Sequence, residues 1–315
     1  MSVRRDILLL GGPTASGKTA LAVHAARRLD AEVINADSLQ VYDGLRVLSA
    51  RPGPDETGGV PHHLFGVLDP GERCSVGRWT RLALDLIADI RGRGRCVVLA
   101  GGTGLYFKAL LDGLAPAPDI PAAIQAEVDE LFASGGVEAL CAEAERLDSA
   151  GAARVEAGDR QRLMRLIVVA RASGRPLSQL QAETRPLINP ATALGVAILP
   201  DRAALYARIE ARFDAMIEGG ALDEARALAA RQLAPDLPAM KAVGLPPLLE
   251  HLAGTLTLEA AIETAKRDSR RYAKRQFTWF SNQHPEWARI TSLDPPLACA
   301  ELDAIVDAHF ESAPS

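Results

Sequence analysis

The sequence predicts an α/β fold, a parallel sheet flanked by helices and interrupted by an all-helical insertion. Three observations carry that prediction. Ile7 to Leu10, Ala31 to Ala36, Cys96 to Ala100 and Leu194 to Leu199 read as strands, the third a short unbroken apolar run of the kind buried on both faces. The first run passes directly into Gly12, Pro13, Thr14, Ala15, Ser16, Gly17, Lys18 and Thr19, the G-x-x-x-x-G-K-T spacing of a phosphate loop, and a helical pattern with Leu21, Ala25 and Leu29 on one face follows at once. From about Pro116 to Thr192 strand-like runs become scarce, and alanine, glutamate and arginine dominate three or so helical patterns. The expected division is a P-loop NTPase-like core, 1–115 and 193–315, carrying a helical insertion, 116–192.

The phosphate loop fixes the ligand class. Its glycines let backbone N–H groups turn inward around an anion, the helix that follows presents its positive dipole end, and Lys18 adds a full charge. The Thr19 hydroxyl is placed to hold magnesium. After the second strand comes Asp37-Ser38-Leu39-Gln40. Ligands collect at the carboxyl ends of parallel strands, so Asp37 is a candidate metal-shell residue or general base, with a strand-end cap as the plainer reading. Pro52 to Pro61 is a loop, and His62-His63 after it reads as structural or substrate-lining, because no metal-ligating partners accompany it. Ser75 caps an expected scaffold helix bearing Val76, Trp79, Leu82, Leu86 and Ile90.

The third strand narrows the chemistry. Where a kinase or nucleotide hydrolase commonly carries an acidic magnesium ligand, this strand ends in Gly101-Gly102-Thr103. Asp201, after the fourth strand, reads as a helix cap. Within the insertion Asp159 reads as another cap, with Gln161, Arg162 and Arg165 on one helix face and Leu163, Leu166, Ile167 and Ala170 elsewhere. In the helix from Asp201 to Gly219, Leu205, Ile209, Phe213 and Met216 form the apolar stripe; Arg208 and Arg212, one turn apart, either reach back to a diphosphate or lie on the surface. The last large helix, about Thr257 to Phe280, buries Leu258, Ala261, Ile262, Ala265, Tyr272 and Trp279. Lys266, Arg270 and Lys274 form one basic row and Arg267, Arg271 and Arg275 a second, interrupted only by Asp268. Six cations on one face of a protein with net charge −5 point to a polyanion partner.

Composition bounds the remainder. The chain has 315 residues, 48% of them apolar, enough for a full core plus an insertion. Cys74, Cys96, Cys141 and Cys299 lie far apart with no C-x-x-C pair, which suits a reduced compartment and argues against structural zinc. The apolar run within Met1 to Leu10 is too short for a signal peptide, and no stretch approaches a membrane span, so a cytoplasmic protein is expected.

Taken together, Gly12 to Thr19, Asp37-Ser38-x-Gln40-Val41-Tyr42, Pro61-His62-His63-Leu64, Gly101-Gly102-Thr103-Gly104-Leu105-Tyr106 and Arg271-Tyr272-Ala273-Lys274-Arg275-Gln276-x-Thr278-Trp279-Phe280 resemble the tRNA dimethylallyltransferase family, collinearly over nearly the whole chain. The resemblance implies transfer of a dimethylallyl group from dimethylallyl diphosphate to N6 of the adenosine 3′ of the tRNA anticodon, with Mg2+ as cofactor and no membrane partner, by an enzyme expected to be a monomer. Asp37 would be the base. Lys18, Thr103 and Arg212 would stabilise the departing diphosphate together with the phosphate loop, and Thr19 would hold the metal. The RNA side would be Asp37, Ser38, Leu39, Gln40, Gln125, Gln161, Arg162, Leu163, Met164, Arg165, Lys241, Gly244, Lys274, Arg275, Gln276, Phe277, Thr278, Trp279, Phe280 and Ser281. Four positions depart from the family's pattern: Gln125 and Ser281 replace arginines, and Leu245-Pro246 replaces a tyrosine followed by a basic residue. Altered RNA affinity is the expected result. The other readings are a P-loop kinase of a small metabolite, a non-catalytic RNA-binding switch, and prenyl transfer to free adenylate.

Overall fold

The computed structural model describes residues 6–115, 118–156 and 158–310. The basic residues between Met1 and Arg5, and Pro116 at the expected start of the insertion, lie outside the described residues. One sheet is formed by β1 (Ile7–Gly11), β2 (Ala31–Asn35), β3 (His62–His63), β4 (Cys96–Gly101), β5 (Ala193–Ile198) and β6 (Ala288–Ile290). Its order is β3-β2-β4-β1-β5-β6 and every pairing is parallel. The four strands expected from the sequence are the four central strands. Two- and three-residue strands such as β3 and β6 are too short to show any periodicity, which is why the sequence did not announce them.

The helices are α1 (Lys18–Leu29), α2 (Val76–Gly92), α3 (Gly104–Asp112), α4 (Ala122–Leu147), α5 (Ser149–Ala152), α6 (Arg160–Ser173), α7 (Leu177–Ala182), α8 (Arg202–Glu218), α9 (Ala221–Ala230), α10 (Leu245–Leu252), α11 (Leu258–Gln283) and α12 (Pro295–Phe310). Ser75, Asp159, Asp201 and Thr257 cap α2, α6, α8 and α11, each accepting a hydrogen bond from a backbone N–H of the first turn. No described helix is long and apolar enough to cross a membrane.

Strand alternation explains the unbroken apolar runs. Ile7 and Leu9 of β1 join a core with Trp79, Ile87, Phe107 and Phe280, while Leu8 and Leu10 face the opposite layer with Leu21, Ala25, Leu302 and Val306. Both faces of the sheet are therefore covered. The chain divides into two compact units, 1–111 with 188–315, and 112–187. The return comes before the expected residue 193 because Ile188 N–H already donates to the Leu110 carbonyl, within the first unit. The second unit has its own core, in which Val128, Leu140 and Ala144 of α4 meet Leu163, Leu166 and Ile167 of α6. Its α4 is broken at Gly136, where φ is +64°.

Candidate active site

Register assembles the site. Gly11 pairs with Gly101, and Asn35 with Ala100, so the loops after β1, β2 and β4 leave the sheet side by side at its carboxyl edge. A Cβ on Gly101 would lie 2.0 Å from the Ala36 carbonyl, and only glycine lets β4 end so close to the β2 turn. The phosphate loop turns into α1 through Gly17 at φ +90°. Ala15 also adopts a left-handed φ, +64°, a strain on the order of 1 kcal/mol that marks a functional turn. Among the described residues the hydroxyl of Ser16 is buried with no hydrogen-bond partner. Such a group in a phosphate loop is matched to an anion.

Two cations stand in the same cavity wall. The Lys18 ammonium donates to the carbonyls of Gly12 (3.0 Å) and Pro13 (2.6 Å). Burial pushes it down to about 8, with Asp37 acting upward and Arg212 downward. Arg212 of α8 donates to the Thr14 hydroxyl, and burial pushes its guanidinium down to about 10, again opposed by Asp37. Arg212 is thus the arginine that reaches the loop; Arg208 also lines the cavity but donates to the Leu293 carbonyl at 3.1 Å. The open cavity, about 1290 Å³ with its mouth, is lined by Thr14 to Thr19, Asp37, Gln40, Glu56, His62 and both arginines.

Asp37 is held from both sides. Asn35 accepts from the Asp37 N–H (2.8 Å) and donates to the Asp37 carbonyl (2.9 Å), and Asp37 Oδ1 accepts from the Leu39 N–H at 2.9 Å. The side chain thus also caps its own turn, as the plainer reading had it, while facing the cavity. Thr103 differs from expectation. Its hydroxyl accepts from the Ser38 N–H (2.9 Å) and donates to Ser38 Oγ (3.2 Å), so it secures the Asp37–Ser38 turn and is not among the residues lining the cavity. Gln40 likewise spends its amide on the carbonyls of Ser49 (3.0 Å) and Ala50 (3.1 Å).

The α11 segment splits into an inner and an outer side. Gln276, expected on the RNA side, is 5% exposed; it accepts from the Thr14 N–H (2.8 Å) and donates to the Gly102 carbonyl (3.0 Å), tying the phosphate loop to the end of β4. Phe280 is fully buried against Gly11 and Phe107. Neither faces a surface, because a helix crossing the carboxyl edge of the sheet must bury one side. Leu163 is a third correction, 2% exposed in the core of the second unit. Gly244 is a fourth, buried at φ +91°, where a Cβ would lie 2.7 Å from Phe213. Lys241, Lys274, Arg275 and Thr278 are exposed, and Phe277, Trp279 and Ser281 are half-buried. In the second unit Gln125, Gln161, Arg162 and Arg165 are exposed and Met164 is half-buried.

The six cations of α11 do not form one open face. Lys266 pairs with Asp214 at 2.7 Å and Arg270 with Glu210, both acids from α8. Arg267 and Arg271 flank Asp268 at 3.7 and 3.6 Å. Periodicity along one helix could not show the acids of its neighbour. Sequence reading also missed the buried Glu32, which binds His63 at 2.7 Å together with Arg93 and Arg95; the Arg93 hydrogen bond holds its carboxyl down to about 2. That network fixes His63 as structural. His62 faces the cavity, its Nδ1 on the Val60 carbonyl at 2.8 Å, and burial lowers its basicity. Among the described residues no group of three or more His, Cys, Asp or Glu could hold a metal ion.

Comparison with known proteins matches these features to a family. The IPP transferase family model matches residues 40–283, and the isopentenyl transferase model matches residues 5–63. A tRNA dimethylallyltransferase of Maricaulis maris is 54% identical over 300 residues, covering 95% of this chain and 97% of the relative. The crystal structure of the full-length tRNA isopentenylpyrophosphate transferase from Bacillus halodurans superposes with a TM-score of 0.70 at 34% identity, covering 98% of this chain and 97% of that one. A eukaryotic dimethylallyltransferase acting on tRNA shares the fold, with a TM-score of 0.82 at 24% identity over 96% of this chain and 78% of that one.

Proposed function

The chain belongs to the IPP transferase family, and on that premise we propose that it transfers the dimethylallyl group of dimethylallyl diphosphate to N6 of the adenosine 3′ of the tRNA anticodon, position 37, releasing diphosphate. The observation that carries this reading is the placing of one carboxylate, Asp37, in the wall of the cavity that holds the phosphate loop, Lys18 and Arg212. A base and an anion cradle share one space.

The adenine amine is a weak nucleophile because its lone pair is delocalised into the ring. As the N6–C1 bond forms, the C1–O bond breaks, its electron pair leaves with the diphosphate, and the N6 proton passes to the Asp37 carboxylate. Asn35 and the Leu39 N–H keep that carboxylate in position. The growing charge on the leaving oxygen is met by the loop N–H groups, the Ser16 hydroxyl, Lys18 and Arg212, all fixed before reaction. Thr103 holds the Asp37–Ser38 turn against the end of β4. Thr19 would hold Mg2+, with diphosphate and water completing its oxygen shell, and the ion when bound offsets diphosphate charge. The hydroxyl and carboxylate donors lining the cavity fit that hard ion, and the lack of an acidic residue at the end of β4 fits a reaction in which no γ-phosphate moves.

The acceptor is the tRNA anticodon stem-loop, whose target base must leave its stack to reach the cavity. Exposed Lys241, Lys274, Arg275 and Thr278 in the first unit, and Gln125, Gln161, Arg162 and Arg165 in the second, support that reading. The protein acts as a cytoplasmic monomer.

The test is incubation with dimethylallyl diphosphate, Mg2+ and an unmodified anticodon stem-loop, followed by mass spectrometry of the RNA. One added prenyl group at that adenosine, and none on free adenylate, is the expected result. ATP-dependent phosphorylation of a small acceptor with no prenyl transfer would establish the kinase instead.

A further inference from the structure

A second, smaller cavity, about 490 Å³ with its mouth, adjoins the first. The two share Thr14, Asp37, Ser49 and Arg212, so they meet at the groups that would handle the reaction. Beyond that shared rim the wall is mostly apolar: Leu39, Leu48, Ile209, Phe213, Met216 and Val243, with Ser269 and Tyr272 contributed by α11. We propose that this cavity receives the hydrocarbon chain of the donor and that Met216 sets the chain length the enzyme accepts. The inference rests on the prenyl-transfer reading of the main site.

The chemistry of the wall selects the occupant. An adenine ring presents nitrogen acceptors around its edge, and burying them against leucine, isoleucine and methionine side chains would leave them without partners. A five-carbon alkenyl group has no such demand and gains from leaving water. Helix α8 then works as a ruler. Arg212 holds the phosphate end at the loop, and Met216 lies one turn further along, a rise of about 6 Å. Phe213 is a rigid part of the wall, 3% exposed and packed against the Gly244 backbone. Met216 is only partly buried, an unbranched side chain at the edge of the core, which makes it the adjustable stop.

The experiment measures kcat/KM of the full chain for dimethylallyl diphosphate and for geranyl diphosphate, the ten-carbon homologue, with an anticodon stem-loop as acceptor. Met216→Ala is expected to raise the ten-carbon to five-carbon ratio at least tenfold. Met216→Phe is expected to lower kcat/KM for the five-carbon donor several-fold. Binding of inorganic pyrophosphate, titrated in parallel, stays within twofold of wild type in both variants and shows that the loop is intact. An unchanged donor ratio with pyrophosphate binding retained overturns the proposal, and a change confined to KM for the RNA assigns the cavity to the base instead. Should wild type transfer no prenyl group from either donor, the reading of the main site fails, a result visible before any variant is compared.

Discussion

The protein sets cations in two environments. Lys18 and Arg212 stand in a cavity wall, where loss of water pushes both down from their ordinary values. Arg271, Lys274 and Arg275 stand in solvent along α11. A desolvated cation destabilises the empty protein and interacts strongly with an anion that displaces the remaining water; a hydrated cation costs little and is screened by salt. The difference separates two tasks that a count of positive residues merges. On the proposed function, charge for bond breaking is buried at a cost in stability, and charge for holding a long polyanion is left outside.

The sharpest way to break the comparison is at Asp37, the carboxylate both buried cations face. Asp37→Asn keeps an oxygen for the Leu39 N–H and removes the proposed base, so kcat for prenyl transfer should fall by about 10²–10⁴-fold while the RNA dissociation constant stays within about twofold. Single-turnover kinetics and filter binding read the two effects separately.

Lys18→Met comes next. Donor kcat/KM should fall about 10²–10³-fold. The ligand-free variant should nevertheless melt higher than wild type at pH 7, by an amount equivalent to on the order of 1–3 kcal/mol. Lys18 has a folded value of about 8 against 10.5 unfolded, so between those values the unfolded chain binds the extra proton and wild-type stability rises with pH. The gap in melting temperature between variant and wild type should therefore close as pH climbs from about 8 towards 10.5. A gap independent of pH would mean that Lys18 is not desolvated. For wild type, KM for the donor should rise as pH passes 8, where the ammonium is lost.

A smaller effect is expected between the two environments. Gln276→Leu strips the Thr14 N–H and the Gly102 carbonyl of their shared partner and should cost about 1–3 kcal/mol in urea unfolding, with a raised donor KM. The smallest lies outside. Arg271→Ala with Lys274→Ala should weaken RNA binding a few-fold and lower the slope of log affinity against log salt by about 1–2. Arg270→Ala, whose guanidinium already pairs with Glu210, should leave that slope nearly unchanged. Equal slopes for the two variants would erase the distinction between the rows of α11.

Much of the site was legible because it is local. The phosphate loop, Asp37 at a strand end and the caps Ser75, Asp159 and Asp201 all follow from a few adjacent residues, and the central strands from short, largely apolar runs. What was not legible depends on which elements face each other. The α11 motif gave no sign that Gln276 and Phe280 turn inward while Lys274 and Arg275 turn out, and the row of cations hid that Asp214 and Glu210 of α8 neutralise two of them. Thr103 was expected to face the anion because a glycine-rich strand end resembles an anion-binding helix start; the neighbouring Ser38 claims its hydroxyl instead. The smaller cavity draws its apolar side chains, Leu39, Leu48, Ile209, Phe213, Met216 and Val243, from several segments, each of which alone reads as ordinary core.

The bond from Thr14 N–H to Gln276 joins residues 262 apart in sequence. Synthesis proceeds from the amino end, so the phosphate loop is made 262 residues ahead of this partner and stays without it until that length of chain has followed. Its other distant partners, β5 beside β1 and Arg212 on Thr14, are made earlier, and Gln276 is the last of the three. A chain that stops short of Gln276 therefore carries the complete G-x-x-x-x-G-K-T spelling without a finished cradle, and competence to bind the donor waits on a residue far downstream of the motif.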